Sequence, residues 1–143
     1  MSSFKIFDIA GSGLSAQSVR LNTVASNLAN ADSVSGDPST VYKARHPVFQ
    51  AVQQQLQGAA GLETQSEAAV KVAGIVESKA PAQMRYDPGN PLANAQGNVY
   101  APNVNVIEEM TDMISASRAY QDNVEVMNTS KDLMLATLKL GQS

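Results

Sequence analysis

Between residues 104 and 140 apolar side chains return every seven positions, and this constrains the fold more than anything else in the chain. One row reads Val106, Met113, Tyr120, Met127 and Met134; a second, weaker row reads Met110, Ser117, Val124, Lys131 and Leu138. Ile107, Ile114 and Leu135 widen the stripe. The spacing predicts one helix roughly 50 Å long at 1.5 Å per residue, with an apolar seam along it. Both ends are marked. Asn105, followed by Glu108, has the pattern of a helix start, and Glu108, Glu109 and Asp112 place negative charge where the helix dipole favours it. Lys139 and Gly141 mark the stop.

The other end of the chain repeats the pattern. Phe7, Leu14, Leu21 and Leu28 lie seven apart, with Ala10, Val24 and Ala31 three residues after members of that row. Gly11 and Gly13 each cost about 1 kcal/mol against Ala in a helix interior, so this helix is marginal alone and needs a partner. The economical solution is an antiparallel, coiled-coil-like pair of the two terminal helices. Two helices still leave apolar surface open, and the expected assembly face comprises Phe7, Leu14, Leu21, Val24, Leu28, Val106, Met110, Met113, Tyr120, Val124, Met127, Met134 and Leu138.

Between the helices the text changes. Asp32, Ser33, Ser35, Gly36, Asp37, Pro38 and Ser39 form a loop. A short extended piece through Val48 and Phe49 follows, then a Gln- and Ala-rich run over residues 50–61 that reads as weakly helical at best. Residues 69–76 alternate with a period near two and predict a strand. Residues 84–86 and 98–100 predict shorter strands, separated by the turn sequence Asp87-Pro88-Gly89-Asn90-Pro91. The expected class is mainly α with a small β insertion (α+β), divided as 1–31 for the first helix, 32–103 for the insertion and 104–143 for the second helix.

The chemistry is sparse. Cysteine is absent and His46 is the only histidine, so disulfides, thiolate metal sites and a cysteine nucleophile are excluded together. No Gly-x-Ser-x-Gly, Walker or dinucleotide-binding pattern occurs. Gly11-Ser12-Gly13 sits within a heptad row, which points to helix packing rather than to a phosphate cradle. Glu63 with Asp87 has no spacing that favours glycan cleavage. A net charge of -3 without a basic run gives nucleic acid no electrostatic purchase. No apolar run is long enough to cross a membrane, and the first residues lack the pattern of a cleaved secretory signal. The expectation is no enzyme, no cofactor and no metal.

Ser15-Ala16-Gln17, Arg20-Leu21-Asn22, the run from Ala25 through Ser26-Asn27-Leu28-Ala29-Asn30 to Asp32, Asn103-Val104-Asn105-Val106, and Ser115-Ala116-Ser117-Arg118-Ala119-Tyr120 together resemble the bacterial flagellar rod and hook family. The short length, the Phe7-Asp8-Ile9-Ala10-Gly11-Ser12 opening, residues 86–93 and the closing Leu140-Gly141-Gln142 are similar to its proximal-rod branch. The resemblance implies a structural subunit of the periplasmic drive shaft in the flagellar basal body, built into a helical tube that transmits torque and lines the export channel. It implies partners: copies of itself, other proximal rod subunits, the distal rod, the adaptor between rod and MS-ring, and the flagellar type III export apparatus during transit, without a cleaved signal peptide. The two heptad stripes likewise require burial by neighbours, through heterologous contacts that do not close. The competing reading is a soluble helical adaptor or export chaperone that holds one partner on the same stripes.

Overall fold

A computed structural model describes residues 3–55 and 66–141. The order is helix α1 (Ser3–Ala29), strands β1 (Arg45–Gln55), β2 (Ser66–Glu77), β3 (Gln83–Tyr86) and β4 (Asn98–Ala101), and helix α2 (Val106–Leu140). The class is α+β: two long helices with two small antiparallel sheets, β1-β2 and β3-β4. Asn105 caps α2, its side chain accepting from the Ile107 N–H, and Gly141 ends it. None of the helices among the described residues is long and apolar enough to cross a membrane.

The helices run antiparallel. Arg20 pairs with Asp112 at 2.9 Å, Asn27 donates to Glu109 at 2.9 Å, and a Cβ on Gly13 would lie 3.0 Å from the Asn123 amide. Each step down α1 is therefore matched by a step up α2. The residues buried between them differ from the rows expected. Instead of Met110, Val124 and Leu138, the row facing α1 is Glu109, Ala116, Asn123 and Ser130, one position earlier. On α1 the buried line runs through Ala10, Ala16, Thr23, Val24 and Asn27. The reason is steric. Ala10, Gly13 and Ala16 let the backbones come close, and at that distance only small or compact polar side chains fit between them.

The β1-β2 hairpin lies along α1, anchored at one end by Asn27 to Arg45 and further along by Ser12 Oγ, which accepts from the Val70 N–H at 3.2 Å. Its register pairs Arg45 with Glu77 and Gln55 with Ser66, with an irregularity between Val48 and Phe49. Strand β1 therefore continues through Gln50–Gln55, where the composition suggested a weak helix; residues 56–61 of that run, and Glu63, lie outside the described residues. Ladder pairing with β2 imposes an extended backbone on glutamines that have no strong preference of their own. Strand β3 pairs with β4 from Gln83↔Ala101 to Tyr86↔Asn98, and the loop after α1 adds a bridge, Ser35↔Tyr100. Val99 of β4 is fully buried, and Val41, after the loop, is buried as well. Gly97, at φ 78°, turns the chain into β4 under the Tyr86 ring.

Candidate assembly surface

The thirteen residues expected at the assembly face divide by depth. Val24 is 3% exposed and is consumed inside the chain. Phe7, Leu14, Leu21, Leu28, Met113, Val124, Met127 and Met134 are half-buried, while Val106, Met110, Tyr120 and Leu138 are exposed. Arg20 and Asp112 meet beside Phe49 of the hairpin, in an open cleft of about 340 Å³ that also includes Val24, Arg45, His46 and Pro47. Helical geometry then puts the Leu14, Leu21, Leu28 row and the Met113, Met127, Met134 row on the flank of the pair turned away from the hairpin. Ile107, Met110 and Ile114 extend that flank, and Ile107 is 77% exposed. On the other flank of α2, Val126, Leu133 and Leu140 stand seven apart, with Leu133 66% and Leu140 76% exposed. A helix apolar on both flanks and covered on neither is built to be packed against.

The closest-knit part of the molecule is polar, and the heptad argument overlooked it. Asn27 is fully buried and uses all of its hydrogen-bonding capacity. Its Nδ2 donates to the Arg45 carbonyl at 2.8 Å and to Glu109 Oε1 at 2.9 Å. Its Oδ1 accepts from the Arg45 N–H and from the Tyr42 hydroxyl, both at 2.9 Å. The Tyr42 hydroxyl also lies 3.3 Å from Ser26 Oγ, and Arg45 stacks over the Tyr42 ring at 5.5 Å. Glu109, 5% exposed, sits in the first turn of α2, where the dipole favours negative charge. One side chain thus joins the end of α1, the start of β1 and the start of α2. The signal that could have found it is the Ser26-Asn27 step between Val24 and Leu28, a polar residue on the inner line of an otherwise apolar turn.

Just beyond, Asn103 accepts from the Ala44 N–H and donates to the Ala80 carbonyl, both at 2.8 Å. Val41 and Tyr42, which follow the loop, are occupied within the chain: Val41 is buried and Tyr42 bonds Asn27. The loop is pinned rather than loose. Ser35 bridges Tyr100 in both directions, and a Cβ on Gly36 would fall 2.6 Å from the Leu92 carbonyl oxygen. Asp37 accepts from the Ser39 N–H and hydroxyl at 2.7 Å each, and those bonds, the backbone one foremost, hold its carboxyl below the usual aspartate value. Among the described residues no three His, Cys, Asp or Glu side chains gather as a metal site, and His46 is exposed.

Comparison with known proteins agrees with this architecture at both ends. Residues 7–36 match the family described as Flagella basal body rod protein, and residues 95–140 match that described as Flagellar basal body rod FlgEFG protein C-terminal. The chain is 54% identical over 142 residues to the flagellar basal-body rod protein FlgC of Salmonella typhimurium, covering 99% of this chain and 100% of the relative. It is 55% identical, with the same coverage, to FlgC of Escherichia coli O6:H1. FlgC of Aquifex aeolicus is 40% identical over 139 residues, 97% of each chain.

Proposed function

The chain belongs to the FlgC family of flagellar basal-body rod proteins, and from that premise we propose that it is laid down in the proximal rod, where helix pairs from successive subunits pack into a tube. Its role is structural, not catalytic. The observation that carries the proposal is the uncovered apolar surface of α2: Ile107, Met110 and Ile114 on one flank, Leu133 and Leu140 on the other. A neighbour on each side of α2 buries both flanks, which is the arrangement of an open helical array rather than of a closed dimer. An adaptor that grips one partner has use for one flank only. The full-length relatives, named as rod proteins, also favour the subunit over the adaptor.

In this reading the segments 1–31 and 104–143 build the tube wall in coiled-coil-like contact with their neighbours, and 32–103 lies outside it. Many modest apolar contacts then transmit torque along the rod while the enclosed bore passes export substrates. Its neighbours are further copies of this chain, other proximal rod subunits, the distal rod and the rod to MS-ring adaptor. The subunit reaches the periplasm through the flagellar type III export apparatus.

The test uses Met110→Asp and Leu138→Asp in a strain whose own gene is deleted. Both positions are exposed, so the isolated protein keeps its melting temperature, but a charge placed in a buried intersubunit seam blocks packing. The expected result is export of both variants, their absence from purified basal bodies and loss of swimming. Normal swimming by either variant would overturn the assignment of that flank.

A further inference from the structure

The β3-β4 unit is attached to the rest of the chain in an unusual way. Among the described residues neither β3 nor β4 packs against α1, α2, β1 or β2, and Val99 of β4 is fully buried within the unit. Besides the loop that leaves α1 and bridges Ser35 to Tyr100, three stretches of chain connect it to the helices and the hairpin: those around Ala44, Ala80 and Asn103. Small buried side chains, Ala44 and Val104, fill the space where these stretches meet. Apolar contact of that kind is non-directional and leaves a joint free to swivel. Hydrogen bonds supply the direction. Asn103 ties all three stretches together through the Ala44 N–H and the Ala80 carbonyl, and the Ser78 N–H adds a bond to the Ala44 carbonyl at 2.7 Å. Asn27 then ties this knot to the helix pair, through both backbone groups of Arg45 on one side and Glu109 on the other.

We propose that Asn27 and Asn103 are positioning residues that fix the angle between the β3-β4 unit and the helix pair, so that the two turn as one body. Both amides are planar groups bonded on two sides, and such a group resists twisting about the line between its partners. The proposal does not depend on the rod reading, because it concerns the geometry of one chain.

Spin labels measure the angle directly, and the chain has no cysteine to interfere. One label pair spans the joint, at Arg85→Cys on β3 and Arg118→Cys on α2, both exposed; a second pair, at Asp8→Cys on α1 and Arg118→Cys, stays within the helix pair. Electron–electron distance measurements on the full-length chain are expected to give one narrow distance across the joint. With Asn103→Ala that distribution broadens while the helix-pair distance stays narrow; with Asn27→Asp, which sets a carboxylate against both Glu109 and the Arg45 carbonyl, the joint distance broadens. An unchanged joint distance in both single variants would overturn the proposal. So would broadening of both distances in Asn103→Ala, which touches neither helix.

Discussion

Ala116→Leu is expected to destabilise the chain although it adds apolar surface. Ala116 is fully buried on the row of α2 that faces α1, between Glu109 and Asn123. The opposing helix brings Ala10, Gly13 and Ala16 to that interface, and at Gly13 even a methyl would stand 3.0 Å from the Asn123 amide. Three extra carbons have no space there, so the helices must separate or the leucine must leave its preferred rotamer, at a cost of about 1–3 kcal/mol. For a chain of this length each kcal/mol lowers the melting temperature by roughly 2–4 °C, so a fall of roughly 2–12 °C is expected. Thermal melts followed by far-UV circular dichroism read it out. Ile114→Ala, on the exposed flank, is the control and should stay within about 0.5 kcal/mol of the parent. If Ala116→Leu melts at or above the parent temperature, the helices are not held at close range by small residues, and the steric account of the seam fails.

Two further outcomes follow from the loop before β1. Gly36→Ala drives a Cβ to within 2.6 Å of the Leu92 backbone oxygen, which cannot rotate away, so a loss of about 1–3 kcal/mol is expected together with faster amide exchange at Ser35 and Tyr100; unchanged exchange would refute the close approach. Asp37 has its folded-state pKa below the ordinary aspartate value, so its contribution is complete above that value and disappears as pH falls through the lowered pKa; an NMR titration should show the Ser39 amide shifting in that acidic window, and a transition above the ordinary aspartate value would contradict the bonding.

Both helices, the Asn105 cap and the Gly141 stop were legible because each is written in neighbouring residues: a heptad row, a capping side chain, a glycine after the last turn. The β3-β4 strands were legible for a similar reason, since the turn sequence from Asp87 to Pro91 brackets them. The length of β1 was not. Its glutamines carry no period, and what makes them a strand is β2, whose Ser66 meets Gln55 only after the chain has turned back. The seam was misplaced by one position because size was taken as the guide to burial. The small residues at 10, 13 and 16, matched by Ala116, carried the better signal: close backbone approach puts alanine and glycine inside and moves leucine and methionine to the flanks.

That inversion explains why the candidate surface was easier to read than the contacts that hold the chain together. Asn27 is recognised only with Arg45 and Glu109 in place, 18 and 82 residues away, and no local pattern announces such a node. Asparagine on a helix ordinarily reads as a solvent-facing residue. Here its burial, with each donor and acceptor used, fixes one register of α1 against α2, because a slip by a turn would leave Glu109 and the Arg45 backbone without partners at a cost of about 1–3 kcal/mol for each group. The chain therefore sets its internal geometry with bonds that are directional and few, and leaves most of its large apolar side chains, from Phe7 to Leu28 and from Val106 to Leu140, half-covered or uncovered. A globular protein that works alone does the reverse, burying its largest side chains and exposing its asparagines. A subunit whose stability is completed by its neighbours has good reason to be built this way: polar bonds hold the register before assembly, and the apolar surface stays available to the next subunit.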